Sequence, residues 1–189
     1  MIKVQVVNKE GTIIAEAAGT REVNLPVSRT YEEGDRVVFL VDETPAFYVF
    51  QADDALGEAL VYVTGEVSYE IPFGEKKVCY SPKIFSGESH LITARKAREW
   101  EYESYRNLAV NVMDQHGDTN CYPHATANVE TRGESVFAAR NAIDGVTSNH
   151  SHGYWPYGSW GINRNPQATM RVDFGREVTT DRIEIYTRA

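Results

Sequence analysis

Basic charge is scarce in this chain. Its 189 residues hold 19 Lys and Arg against 27 Asp and Glu, a net charge of −8. Non-specific nucleic-acid binding needs a basic face that displaces counterions, so no nucleic-acid partner is expected. Cysteine is scarcer still: Cys79 and Cys121 stand far apart and outside any CxxC motif. Disulfide-dense secreted scaffolds carry more, so two free thiols are expected. No run of about 18 apolar residues occurs, which excludes a membrane-spanning helix. The opening MIKVQVVNKE alternates like a strand and lacks the apolar stretch of a secretory signal, so the sequence as it stands names no compartment. Also missing are a Gly-x-Ser-x-Gly elbow, a phosphate loop and a Cys/His nucleophile motif. Asp42, Glu43, Asp53 and Asp54 are hydrolase candidates only because they are acidic.

What is present points to β structure. Short runs rich in β-branched and aromatic residues recur, with turns between them. They are Ile2–Val7, Thr12–Ala15, Glu22–Leu25, Arg36–Val41, Ala46–Gln51, Leu60–Thr64, Val67–Ile71, Lys77–Tyr80 and His90–Ala94. Many short strands with turns every 8–12 residues predict a sandwich or jelly roll. Residues 95–106, RKAREWEYESYR, fit either a charged helix or an extended segment and mark a junction.

Composition shifts across that junction. The last lysine is Lys96, and four of the five histidines and two of the three tryptophans lie after residue 110. Two modules are therefore expected, at 1–106 and 107–189. In the second, Leu108–Met113, Ala125–Val129, Thr169–Phe174 and Arg182–Thr187 read as strands, and Ser135 as the cap of a helix over Val136–Ile143. The fold class expected is all-β, two tandem β-sandwich modules.

The loop 149–165, NHSHGYWPYGSWGINRN, concentrates aromatic and planar polar groups. Aromatic rings cover the C–H faces of sugars, and Asn, His and Arg satisfy the hydroxyls. Tyr154, Trp155, Tyr157 and Trp160 are the candidate stacking residues, with His150, His152, Asn163 and Arg164 as polar partners. The competing reading folds the tryptophans inward as a small core that holds the loop. His150 and His152, with Cys121 and His124, are weaker transition-metal candidates, because none has standard zinc spacing.

Three pieces in order, ARNAIDG (139–145), the loop ending in SWG (159–161) and ATMRVDFGREVTTDRIEIYTRA (168–189), carry a resemblance. The second half resembles the galactose-binding-like β-sandwich of the discoidin (coagulation factor 5/8 type C) domains and the family 32 carbohydrate-binding modules. The resemblance covers about 110–189 and implies an incomplete jelly roll. It also implies self-association through an open sheet edge. It further implies a structural Ca²⁺ site at the DG turn, with Asp144 as carboxylate, carbonyls of Asn141 and Val146, and Asn149 where threonine is usual. The expected function is non-catalytic carbohydrate binding. The alternatives are an ancillary part of a glycoside hydrolase or a protein-interaction scaffold.

Overall fold

The structure, a computed structural model, describes residues 1–148 and 155–187. Residues 1–96, with residues 121–122, build two antiparallel sheets around one apolar core. In the first, β1 (Ile2–Val7), β2 (Ile13–Gly19), β4 (Arg36–Val41) and β7 (Val67–Glu70) lie in the order β2-β1-β4-β7. In the second, β3 (Glu22–Ser28), β5 (Ala46–Gln51), β6 (Ala59–Val63), β8 (Ser89–Lys96) and β9 (Cys121–Tyr122) lie in the order β3-β8-β5-β6-β9. The chain is thus β-rich, as its alternating pattern requires.

Period-two alternation sets the faces. On β3, Val23, Leu25 and Val27 point inward and their neighbours outward. Pro26 lacks an N–H, and β3 is an edge strand, where that loss is tolerated. Between the sheets, Phe39 of β4 stacks on Phe50 of β5 with centroids 4.4 Å apart. A single-turn helix α1 (Glu99–Glu103) follows β8 at the expected junction. Arg95 holds Glu101 through two bonds of 2.7 Å, and Tyr102 stacks on Phe47 at 4.5 Å.

The second segment is not organised as the first. Its strand β9 joins the five-stranded sheet, pairing Tyr122 with Tyr62 and Cys121 with Val63. Met113, Val136, Phe137 and Tyr157 belong to the same core cluster as Phe39 and Phe50. Only β10 (His124–Ala127) and β11 (Met170–Asp173) form a ladder within the described part of this segment. Beneath it lies a small cluster of Ala125, Ala139 and Ile143, flanked by Trp160, Met170 and Val172. Gly175 ends β11 at φ +66, and a Cβ there would lie 2.5 Å from the Tyr122 ring, so the close approach needs glycine.

Several local expectations give way to turns. Lys77–Tyr80 is no strand; a 3-10 turn, Gly74–Lys77, precedes it. Leu108–Met113 is broken by side chains that take over its backbone: Asn107 Oδ1 accepts the Ala109 N–H and Asn111 Oδ1 the Met113 N–H, both at 3.0 Å. The helix expected over Val136–Ile143 divides into 3-10 turns at Ser135–Phe137 and Ala139–Ala142. Residues 182–187 have no strand partner among the described residues, and Ile183, Ile185 and Tyr186 are exposed. Among the described residues, no helix is long and apolar enough to cross a membrane.

Candidate functional site

A cleft of about 360 Å³ opens beside β10. Its walls are the loop at His116 and Gly117, the strand residues His124–Ala127, and the following segment Asn128–Glu130 with Gly133. The turn at Asn111 positions the carboxylate that builds this site: the Asp114 N–H bonds the Asn111 carbonyl at 3.2 Å. Asp114 Oδ1 then lies 2.6 Å from His124 Nδ1, and Oδ2 accepts the Ala125 N–H at 3.0 Å. Asp114 and His124 are both buried. The hydrogen bond to Asp114 holds the His124 imidazole above its ordinary pKa, and the charges of Asp114, Asp173 and Asp118 add to the effect. Asp173 stands opposite His124 across the β10–β11 ladder.

The same device recurs on the other wall. His116 Nε2 lies 2.7 Å from Glu130 Oε2, while Glu130 Oε1 accepts the Ala139 N–H at 2.7 Å. Each imidazole is thus oriented by a carboxylate whose second oxygen is fixed by a backbone N–H. His116 is largely exposed, so it presents its ring to whatever enters.

The residues expected to stack on a sugar are dispersed. Trp155 is exposed at 43%. Tyr157 is 1% exposed and meets Phe137 edge to face at 6.5 Å, so burial in the shared core removes it from any ligand surface. Trp160 is half-buried in the small cluster, and its Nε1–H donates to the Val129 carbonyl at 2.9 Å. Because Val129 lines the cleft, Trp160 supports that wall from behind. Asn163 and Arg164 are exposed with left-handed backbone, and the Asn163 N–H donates to Thr131 Oγ1 at 2.9 Å. His150, His152, Tyr154 and Asn149 lie outside the described residues. None of Trp155, Tyr157, Trp160, Asn163 and Arg164 lines the cleft itself.

Of the residues expected at a Ca²⁺ site, Asn149 lies outside the described residues, and the Asp144 carboxylate is engaged within the protein. Asp144 Oδ1 accepts the Val146 N–H at 2.8 Å, and its Oδ2 lies 4.0 Å from the buried Arg140 Nη1. That same Nη1 donates to Asn141 Oδ1 at 3.0 Å. A fixed guanidinium therefore faces the Asp144 carboxylate among the described residues. Burial pushes the Asp144 carboxyl up, against the pull of Arg140. The cysteines are free and buried. Burial pushes the Cys121 thiol up to about 12, which disfavours the thiolate a metal or a nucleophilic reaction needs.

Asp114, His116 and Glu130 escaped the sequence reading. No motif spacing joins them, because Asp114 and His124 meet across a turn and His116 and Glu130 across a cleft. A carboxylate 10 or 14 residues from a histidine is not a local signal. Comparison of the chain with protein-family models, with curated proteins and with solved structures gave no match.

Proposed function

We propose that this chain is a non-catalytic carbohydrate-recognition module that takes its ligand in the cleft beside β10. The observation that carries the reading is the pair of carboxylate-held imidazoles, His116 and His124, across an open cleft of about 360 Å³. That volume falls in the range of small-molecule sites, at roughly 300–1,000 Å³. Prefixed imidazoles and the Thr126 hydroxyl suit a rim of sugar hydroxyls, because they need not reorganise on binding. Trp155, the exposed tryptophan of the expected loop, is the remaining candidate for a stacking surface. On this reading the ladder β10–β11 and the DG turn belong to a galactose-binding-like sandwich in tandem with the first, as the sequence resemblance implies.

Chemistry on a glycoside has less support. A general acid with a raised pKa should stand beside a second carboxylate in the cleft. Asp144, whose carboxyl is raised, is instead buried beside Arg140 and does not line the cleft. Asp114 and Glu130 already hold imidazoles.

A glycan array probed with the full chain tests the proposal. Retention of a defined glycan is expected, and His116→Ala should weaken it roughly tenfold, the worth of one hydrogen bond. Trp155→Ala reports whether the exposed indole of the expected loop also meets the ligand. No retained glycan, or retention untouched by both substitutions, overturns the assignment. Turnover of chromogenic glycosides would replace it with the enzymatic alternative.

A further inference from the structure

The inward face of β8 reads His90, Ile92, Ala94, and all three are buried. An imidazole in that apolar row needs partners, because an unpaired polar group is costly there. It has two. Nδ1 lies 2.9 Å from Asp53 Oδ2, and Nε2 lies 3.3 Å from the Gly87 carbonyl oxygen. Both are acceptors, yet a neutral imidazole carries a single N–H. An imidazole nitrogen that faces a carboxylate oxygen at this distance is also placed to share a cation with it.

The surroundings favour a cation. Asp53 is buried, and its Oδ1 accepts the Ala55 N–H at 2.9 Å. Asp54, next in the chain, is exposed, and its Oδ1 accepts the Leu91 N–H at 3.1 Å. One ligand atom from each of Asp53, Asp54 and His90 lies within 4.8 Å of the others. An independent observation comes from β3's neighbour in sequence, Tyr31. Its ring lies 4.5 Å from that of His90, and it is 3% exposed. Its hydroxyl is buried with no hydrogen-bond partner, although it is close enough to Asp53 and Asp54 to feel their charge. A buried, unsatisfied oxygen on a ring packed against His90 is a polar group that the fold leaves unused. Lys77 also feels Asp53, but its ammonium is engaged with Ser86 Oγ at 2.9 Å.

We propose that Asp53, Asp54 and His90 hold a first-row divalent cation, Zn²⁺ or Mn²⁺, with the Tyr31 hydroxyl beside it. His90 Nδ1 supplies the lone pair and each aspartate an oxygen. Nε2–H then donates to the Gly87 carbonyl, the outer hydrogen bond that commonly orients a ligating imidazole. A cation about 2 Å from each donor holds them roughly 3 Å apart. The Asp53–His90 edge, at 2.9 Å, is already near that spacing. Asp54 closes the remainder by rotating an exposed side chain, which also marks the way in. One nitrogen with two or three oxygens suits Zn²⁺ or Mn²⁺ and is too few donors for Ca²⁺. The bound ion fastens the Asp53–Asp54 loop after β5 to the start of β8.

Calorimetric titration of the chelator-treated full chain with ZnCl₂, repeated with MnCl₂, tests this. A single equivalent should bind. Asp54→Asn should weaken it by at least about tenfold, and Tyr31→Phe by up to about tenfold. Asp54 is exposed, so near-UV dichroism and metal-free melting should stay unchanged in that variant. His116→Ala should leave the titration as it was, which separates this site from the cleft. Absence of binding at millimolar metal overturns the proposal. So does binding that Asp54→Asn leaves intact, which would place the ion elsewhere. Either result leaves the glycan assignment standing.

Discussion

The sheets of residues 1–96 and the segment after residue 107 are held by different forces. In the first, inward rows such as Val23, Leu25 and Val27 interlock and the backbone is paired in long ladders. In the second, described strands are short and polar groups are buried instead. Of the nine buried polar or charged residues described, Asn111, Asp114, His124, Arg140, Asn141 and Asp144 lie there. Arg140 is their hub: Nε donates to the Asp114 carbonyl at 2.8 Å and Nη2 to the Val112 carbonyl at 3.2 Å. It also reaches back into the first part, with its guanidinium 4.3 Å from the Tyr80 ring. Apolar packing is forgiving of direction, whereas a buried polar network tolerates no missing member. The region with the stricter geometry is also the one that carries the cleft.

This contrast can be broken from either side. Phe50→Ala opens a cavity in the core both parts share, at about 4 kcal/mol, and should lower the denaturant midpoint of the entire chain in one transition. Separate transitions for the two parts would show that their cores are independent. Arg140→Ala should come next, at about 3 kcal/mol, because it removes the cation that faces buried Asp144 and the donor to two carbonyls. Amide exchange should then quicken in residues 109–145 while Val4, Val61 and Ile92 stay protected. Equal loss of protection in both regions would remove the distinction.

The smallest effect is electrostatic. Asp114 raises the pKa of His124 in the folded state above the usual 6.5. A group raised in this way stabilises the fold fully below its unfolded pKa, and the benefit fades as pH climbs through the folded value. Melting temperature should therefore fall from mildly acidic to mildly alkaline pH, and His124→Asn should flatten that slope. An unaltered slope would assign the pH dependence to other groups.

Alternation made β1 legible to the residue, and continuous apolar runs did the same for β4 and β5, where three consecutive residues are buried. Ala125–Val129 and Thr169–Phe174 were read close to β10 and β11 for the same reason. Leu108–Met113 carries the same alternation, yet Asn107 and Asn111 divert its backbone, a competition that hydrophobic pattern does not register. Site residues were harder still. His124 drew notice beside Cys121, but its partner is Asp114, supplied by a turn. Asp53 was noticed only for its charge. Its imidazole partner lies 37 residues away, and only the pairing of β5 with β8 brings them together.

The two-residue strand β9 bears on how this protein is made. Synthesis delivers residues 1–96 first, with the β6 edge bare and the space later filled by Phe137 and Tyr157 still vacant. That nascent sheet offers unpaired amides and apolar surface to any passing chain. It is sealed only once residue 122, and then residue 157, has left the ribosome. The interval of greatest hazard for misassembly thus runs from the emergence of residue 96 to that of residue 157, and the segment after residue 107 is the cover that ends it.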